Sequence, residues 1–288
     1  MAKHKLAYQT NCWGPMGGDA VGVTSNTRLT YRTFADMEIA IREIGEVGYD
    51  GIEMFDANLM DYEGRFADLQ KVLDKSGVQM ISVYSGANLI YSDLLPDELA
   101  KIERVAAAAA QVGTEFLVLG GGATRAVGVL PGDYELLARG LDQVNAAVRK
   151  HGLTALYHPH LSTMIETPEQ VQKIFSMTDI GFCPDTAHLC AGGANVPELL
   201  HSLRERIAFV HLKGWQSNPF KFTPLDEGDL NIADVLKGLQ ADGYNGWIAT
   251  ELDAWHDPKD GARRSLAFLR NHLRTVCKTS RNPDWRAA

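Results

Sequence analysis

The stretch GLTALYHPHLSTMIETPEQVQKIFS, residues 152–176, contains one complete strand–loop–helix unit. Its apolar run Thr154–Tyr157 is short and has the composition of a strand buried on both faces. Thr167 and Pro168 supply a helix N-cap followed by proline at the first helical position, so a helix is predicted over Pro168–Ser176. A strand followed by a crossover helix is the repeating unit of an α/β fold with parallel strands.

The same unit recurs along the chain. The predicted strands are the short apolar runs Leu6–Thr10, Gly51–Phe55, Gln79–Tyr84, Phe116–Leu119, Thr154–Tyr157, Ile180–Cys183, Ala208–Leu212 and Trp247–Thr250. The predicted helices are the amphipathic segments Phe34–Val47, Phe66–Ser76, Glu98–Gln111, Tyr134–His151, Pro168–Ser176, Pro197–Leu203, Ile232–Asp242 and Ala262–Thr275. Several helices are followed by a glycine where a left-handed C-cap is expected, at Gly48, Gly77, Gly113, Gly152 and Gly243.

Eight strand–helix units in 288 residues favour a closed (β/α)8 barrel, a TIM barrel, as a single domain over residues 1–288. An open doubly wound sheet is the alternative. The pattern is interrupted by residues 12–33, a long loop rich in Gly, Asn and Thr after the first strand. Such a loop at the mouth of a barrel is typical of a lid or a subunit contact.

The formal net charge of −8 argues against two classes of partner. Nucleic-acid binding requires a basic surface, and so does a polybasic contact with a membrane, so neither is expected. No run approaches the ~18 apolar residues that span a bilayer, and the start MAKHKLAYQT has no apolar signal-peptide core behind it. The four cysteines form no CxxC pair and are interpreted as reduced thiols. We therefore expect a cytoplasmic protein without a membrane partner.

The residues just past the predicted strands indicate where the chemistry lies, because active sites of TIM barrels form at the carboxyl ends of the strands. Four of the nine histidines fall there, at His158, His160, His188 and His211. The other residues at these strand ends are Asn11, Trp13, Glu53, Tyr84, Ser85, Gly120–Gly122, Asp185, Lys213, Glu251 and Asp253. The glycine run does not predict a phosphate loop, because GGGATR lacks both the third glycine of GxGxxG and the Lys-Ser/Thr of a P-loop.

Four of these residues come from four consecutive strands: His158, Asp185, His211 and Glu251. Neighbouring strands are ~4.8 Å apart, so one side chain from each can reach a shared ion near the barrel axis. Taken singly, such a histidine could orient a ligand, and Asp185 could cap a helix. Taken together, four buried ionisable groups with only Lys213 to balance them would be costly without a cation. Two imidazoles and two carboxylates favour Mn²⁺, Zn²⁺, Fe²⁺ or Co²⁺ over Ca²⁺.

At these residues the chain resembles the xylose-isomerase-like barrel superfamily of sugar isomerases, epimerases and inosose dehydratases. The resemblance runs over most of the chain and is carried by YHPH (157–160), DTAH (185–188), HLK (211–213), GWIATE (246–251) and GYDGIE (48–53). Epimerases and isomerases of the family usually carry Glu-x-His after strand five, where the glutamate is a metal ligand and one of two acid/base carboxylates. Here that place reads His158-Pro159-His160, which disfavours epimerase chemistry.

The His-x-His form is similar to inosose dehydratases, so the resemblance implies a metal-dependent lyase for a cyclic keto-polyol. Related barrels that cleave 3-keto-glycosides by β-elimination would use the same residues. The strand-one segment Gln9–Pro15 differs from what is expected of inosose dehydratases, so the substrate is predicted to be a keto-inositol relative or another keto-sugar. We expect one divalent metal ion, Mn²⁺ first, with Co²⁺, Mg²⁺, Fe²⁺ or Zn²⁺ as alternatives.

In this hypothesis His160 or Glu251 removes the proton beside the ketone. His188 or Lys213 stabilises the resulting enolate or protonates the departing oxygen, although Lys213 could instead only balance the negative charge of the site. The residues expected to contact the substrate are Trp13, Glu53, His188 and Trp215.

Two other functions remain open. The first is a metal-dependent sugar isomerase or epimerase on the same site, and the second is a non-catalytic sugar-binding barrel or a partner subunit of a lyase complex. An endonuclease of the same superfamily is disfavoured by the negative charge and by the missing ligands of a three-metal cluster. The expected assembly is a homo-oligomer, or a hetero-oligomer with a second subunit.

Overall fold

The computed structural model describes residues 5–13, 24–25 and 29–273. Eight strands form one parallel sheet: β1 (Leu6–Gln9), β2 (Gly51–Phe55), β3 (Gln79–Gly86), β4 (Phe116–Gly120), β5 (Thr154–His158), β6 (Gly181–Phe182), β7 (Phe209–Leu212) and β8 (Trp247–Thr250). Strand β1 pairs with both β2 and β8. Bridges from Phe182 to Ile207 and from Asp185 to His211 join β6 to β7 and complete the circle. The predicted TIM barrel is therefore confirmed over the open sheet.

The helices surround this barrel. Within the described residues they are α1 (Met37–Val47), α2 (Asp56–Met60), α3 (Phe66–Ser76), α4 (Leu95–Gln111), α5 (Asp133–Arg149), α6 (Pro168–Phe175), α7 (Thr186–Ala191), α8 (Val196–Ser202), α9 (Ile232–Ala241) and α10 (Pro258–Leu273). None of the helices described here is long and apolar enough to cross a membrane. The eight predicted helices are all present, and the short helices α2 and α7 are additional to them.

Local capping explains where several helices begin. Helix α1 starts later than the predicted Phe34, because the side chain of Asp36 accepts the backbone N–H groups of Glu38 and Ile39 and so caps the helix. Helix α6 starts where predicted, and Thr167 and Gln170 form a reciprocal capping box there. The predicted last residue of α10, at position 275, lies outside the described residues.

Part of the predicted loop over residues 12–33 has regular structure. Residues Thr10–Trp13 form a short 3-10 helix, and Thr24–Ser25 pairs with Thr30–Tyr31. Thr33 exchanges two hydrogen bonds of 2.8 and 2.9 Å with the side chain of Asn58 on α2, which fastens this end of the loop to the barrel mouth. Residues 14–23 and 26–28 lie outside the described residues, so the role as a lid or subunit contact stays a prediction.

Side chains alternate between two layers along each strand, as strand geometry requires. On β1, Ala7 belongs to the apolar cluster inside the barrel, whereas Tyr8 packs in the larger cluster against the helices. In three strands the residue two positions beyond an inner apolar one is ionisable: His158 after Leu156, His211 after Phe209 and Glu251 after Ala249. The alternation therefore stacks a layer of ionisable groups directly on an apolar layer.

Gly120, at the end of β4, makes room for the ring of Tyr84. A Cβ atom at position 120 would lie 1.7 Å from the Tyr84 hydroxyl oxygen. The ring cannot swing away freely, because it is only 5% exposed and contacts the rings of Tyr31, Phe55 and His211. A glycine is thus required here by the packing of a neighbouring strand.

We expect Gly120→Ala to lower the free energy of unfolding by roughly 1–3 kcal/mol, the usual effect of overpacking a core. The measurement is chemical denaturation followed by circular dichroism. Gly238→Ala is the matched control, because a Cβ there would meet only Pro197 Cβ at 3.7 Å within helix α9. The control should be neutral or stabilising, and equal stability of both variants would contradict the account of Gly120.

Candidate metal centre

Four ionisable side chains meet at the carboxyl end of the barrel: His158, Asp185, His211 and Glu251. Each offers one ligand atom, and these atoms lie within 4.8 Å of one another. The side chains are buried, with Glu251 the most exposed at 6%. These are the four residues predicted as ligands, and the group could hold a metal ion. The histidine of β5 in this group is His158 and not His160.

The geometry at His158 fits a shared ion. Among the described residues neither ring nitrogen of His158 has a hydrogen-bond partner, although the side chain is fully buried. Its Nε2 atom lies 3.7 Å from Asp185 Oδ2 and 4.0 Å from Glu251 Oε2. Ligand atoms that each bind one ion at about 2.1 Å stand about 3–4 Å apart. The donor set of nitrogen and carboxylate oxygen suits a divalent transition metal.

Helix α7 aims the carboxylate of Asp185. Asp185 is the N-cap of α7, and its Oδ1 atom accepts the backbone N–H groups of Ala187 and His188 at 2.8 and 2.9 Å. These bonds fix the side-chain orientation and leave Oδ2 facing the other three groups. The helix cap that the sequence offered as an alternative role is thus compatible with a ligand role.

Glu53 on β2 reaches His211 on β7 through the interior of the barrel and orients its ring. Its Oε1 atom lies 2.9 Å from His211 Nε2, and its Oε2 atom accepts a hydrogen bond of 2.5 Å from Ser82. The opposite ring nitrogen, Nδ1, lies 2.8 Å from Glu251 Oε2. A carboxylate on the far nitrogen of a ligand histidine fixes the tautomer and makes the ring a better donor. Glu53 is fully buried and contacts His211. Its predicted contact with substrate stays a prediction.

Lys213 balances the negative charge of the centre. Its ammonium group is fully buried and lies 2.8 Å from Glu251 Oε1, 3.3 Å from Asp185 Oδ2 and 3.2 Å from Asp253 Oδ1. Burial by itself lowers the pKa of Lys213, but the three carboxylates raise it well above its usual value. Burial likewise raises the pKa of Glu251, yet Lys213 and His211 together lower it to about 2. Lys213 and Glu251 are therefore charged at neutral pH, whereas burial raises the pKa of Asp253 to about 6.

His160 and His188 pack against each other beside this centre, with ring centroids 3.7 Å apart and ring planes tilted by 38°. Nδ1 of His160 lies 2.7 Å from the carbonyl oxygen of Leu161, so Nδ1 carries the proton and Nε2 is an acceptor. Nε2 of His188 lies 3.2 Å from the ammonium of Lys213, so Nε2 accepts and Nδ1 carries the proton. Burial lowers the pKa of His160 to about 4 and lowers that of His188 well below its usual range. Both rings are thus neutral, one presenting an acceptor and the other a donor.

The two tryptophans predicted to contact substrate lie in different surroundings. The indole of Trp13 donates from Nε1 to Glu43 on helix α1 at 2.6 Å and packs edge-on against Tyr8, in the layer that faces the helices. The structure therefore does not bring Trp13 to the four ligands. Trp215 lies just after Lys213, on a hairpin that pairs Gly214–Gln216 with Lys221–Thr223, and its contact with substrate stays a prediction.

Two aromatic residues complete the site. Tyr84 stacks on His211 with centroids 6.3 Å apart and meets His158 edge-on at 5.4 Å. Phe222, on the same hairpin as Trp215, packs against His188 at 5.1 Å and lies 4.6 Å from Lys213 Nζ. Tyr84 was visible as a strand-end residue, whereas no sequence signal marks Phe222, because it reaches the site only through the turn of the hairpin.

We expect Glu53→Gln to weaken Mn²⁺ binding roughly tenfold or more, because the variant keeps the shape of the side chain and loses the charge that supports His211. The measurement is calorimetric titration of the chelator-treated protein with Mn²⁺. Glu205→Gln is the matched control, since Glu205 is 79% exposed on the surface. Unchanged affinity in Glu53→Gln would contradict the orienting role.

Sequence comparison gives the same family as the fold. A model of the xylose isomerase-like TIM barrel family matches residues 41–272. The inosose dehydratase of Clostridium beijerinckii is 26% identical over 161 residues, which cover 48% of this chain and 54% of that protein. The chain spans about half the length of the curated relatives it matches.

Solved structures share the barrel over almost the whole chain. The apo crystal structure of 3-keto-D-glucoside 4-epimerase from E. coli has a TM-score of 0.70 at 20% identity, covering 93% of this chain and 100% of that one. The probable 3-DHS dehydratase of Bacillus anthracis has a TM-score of 0.74 at 16% identity, covering 93% and 99%. Identities this low show the fold alone, but the family model spans the segment that carries all four candidate ligands. The chain belongs to the xylose isomerase-like TIM barrel family.

Proposed function

We propose that this protein is a metal-dependent carbon–oxygen lyase that acts on a cyclic keto-polyol. The reaction would be dehydration, as the name of the inosose dehydratase relatives suggests, or β-elimination from a 3-keto-glycoside. Mn²⁺ is the proposed ion, with Co²⁺, Mg²⁺, Fe²⁺ or Zn²⁺ as alternatives, because two imidazoles and two carboxylates form a mixed donor set.

The observation that carries the proposal is that each carboxylate of the site already contacts a protein group or belongs to the candidate ligand group. Asp185 and Glu251 belong to the candidate ligand group, Glu53 is bound to His211 and Ser82, and Asp253 is bound to Lys213 and Asn11. An epimerase that works through two acid/base carboxylates needs an opposed pair that can exchange protons with the substrate. At β5, where such a glutamate is usual, this chain has His158. The groups left to move protons are the neutral histidines.

A divalent ion held by the four residues would supply Lewis-acid polarisation of the substrate ketone, which acidifies the adjacent C–H bond. His160 Nε2 is the proposed base, because Glu251 is held by Lys213 and His211 with its pKa lowered to about 2 and is the weaker acceptor. His188 Nδ1–H, which is buried without a partner among the described residues, would donate a hydrogen bond to a substrate oxygen. Lys213 holds His188 in that tautomer through its bond to Nε2.

The proton, the electron pair and the leaving group of the elimination can all be accounted for with these residues. His160 takes the proton from carbon, and the electron pair of the C–H bond becomes the new carbon–carbon double bond as the bond to the β-oxygen breaks. Protonated His160 then returns its proton to the departing oxygen, which leaves as water or as an alcohol. No external oxidant or reductant is required.

We expect the Mn²⁺-loaded protein to release water or aglycone from at least one member of a panel of keto-inositols and 3-keto-glucosides. Mass spectrometry follows the reaction, and ultraviolet absorbance detects the enone product. A product of unchanged mass would favour an isomerase or epimerase instead. Absence of both turnover and stoichiometric metal would favour a non-catalytic sugar-binding role.

We expect His160→Gln to lower kcat about 10²-fold or more while leaving bound Mn²⁺ unchanged, because His160 lies outside the ligand group. His211→Ala and Glu251→Ala should lose both activity and metal. His201→Gln is the control for the exchange itself, since His201 is exposed on α8. Full activity of metal-free Glu251→Ala would overturn the proposed mechanism.

A further inference from the structure

We infer that Gln9 and Asn11, at the carboxyl end of β1, form a subsite that binds one hydroxyl group of the substrate beside the metal centre. The inference rests on the proposed function in taking the ligand to be a polyol. It assigns a role to two residues for which the lyase hypothesis has none.

Gln9 points into the barrel. The side chain of Ala7 lies in the inner cluster and that of Tyr8 in the outer one, so the alternation turns Gln9 inward. Gln9 is fully buried and is paired in register with Glu53, the residue that bonds His211. Its carboxamide therefore stands at the level of the candidate ligands, on the strand next to β8, which leads into Glu251.

The orientation of the Gln9 amide is fixed by a backbone donor. The N–H of Asn11 donates to Gln9 Oε1 at 2.6 Å, and only an oxygen can accept that bond. The NH₂ group of Gln9 is consequently the free end of the side chain. Among the described residues Gln9 Nε2 is buried without a hydrogen-bond partner.

In Asn11 the amide nitrogen is bonded and the oxygen is free, which is the reverse of Gln9. Its Nδ2 atom donates to Asp253 Oδ1 at 3.0 Å, and the same carboxylate oxygen is 3.2 Å from the ammonium of Lys213. Asn11 Oδ1 is therefore the free acceptor, and it too is buried without a partner in the described part of the chain. Asn11 is 1% exposed.

A hydroxyl group has the chemistry that this pair requires, because it can accept a hydrogen bond from an N–H donor such as Gln9 Nε2 and donate one to an oxygen such as Asn11 Oδ1. Buried amide groups are normally satisfied, so two unpaired ones on a three-residue segment point to a ligand. An anionic oxygen has no proton to donate to Asn11 Oδ1, so it matches this pair less well than a hydroxyl does. The subsite thus suits a neutral hydroxyl group.

The test is calorimetric titration of the Mn²⁺-loaded protein with 2-keto-myo-inositol and its monodeoxy analogues. We expect Gln9→Leu and Asn11→Leu each to weaken binding on the order of tenfold. One deoxy analogue should bind wild type weaker by a similar factor and show no further loss in either variant, because the partner of the missing hydroxyl is already absent. Gln70→Leu, an exposed glutamine on α3, is the matched control and should bind like wild type.

Gln9→Glu keeps the oxygen that accepts from Asn11 N–H and replaces the free donor with a charged acceptor, so its fold is first checked by circular dichroism. It should also weaken binding while retaining stoichiometric Mn²⁺. A crystal structure with the same probe should place a hydroxyl oxygen within hydrogen-bond distance of both Gln9 Nε2 and Asn11 Oδ1.

Different experimental results would overturn the subsite and the lyase reaction. Binding with the expected losses, but without release of water or aglycone from any member of the panel, would overturn the lyase reaction and support the subsite. Equal affinity of the variants and wild type, a water alone between the two amides, or no binding of the probe by the Mn²⁺-loaded wild type would each overturn the subsite.

Discussion

The burial of charged groups directly above an apolar layer is the constraint on which this site depends. Inside the barrel, Phe209 and Leu156 exclude water from below, and His211 and His158 stand one inward position higher. A charge at that depth is not hydrated, so protein groups must compensate it. The ammonium of Lys213, fully buried among carboxylates, is the clearest expression of this requirement.

The same requirement explains why the surrounding side chains are arranged as they are. The N-terminus of α7 supplies backbone N–H groups to Asp185, and Ser82 and His211 take up the two oxygens of Glu53. Each contact with a carboxylate oxygen fixes the orientation of that side chain. The remaining atoms of the same side chain, which have no protein partner, are therefore also fixed in position. The hydrogen bonds and ion pairs within the buried layer thus determine which atoms are available to an ion or a substrate.

The sequence predicted the barrel and the four-residue group because both follow from local signals. Strand alternation, helix caps and the position just past each strand are all readable along the chain. The contact between Glu53 and His211 could not be predicted from the sequence, because a glutamate at a strand end can face either a ligand or a side chain of another strand. The register shift at Ile52/Glu53, which lies beside this contact, is also not visible in the sequence. The contacts of Trp13 were not predictable for a similar reason, because the 3-10 helix Thr10–Trp13 brings its indole to Glu43 on α1, and its contact with substrate stays a prediction.

The stacking of His160 on His188 bears on the kind of proton transfer that this site favours. The two rings lie side by side, with centroids 3.7 Å apart. Epimerisation by two bases requires groups on opposite faces of one carbon, able to exchange the roles of donor and acceptor. Here Leu161 fixes His160 as an acceptor and Lys213 fixes His188 as a donor. A fixed acceptor beside a fixed donor is compatible with the proposed elimination, in which a proton leaves carbon and an oxygen departs.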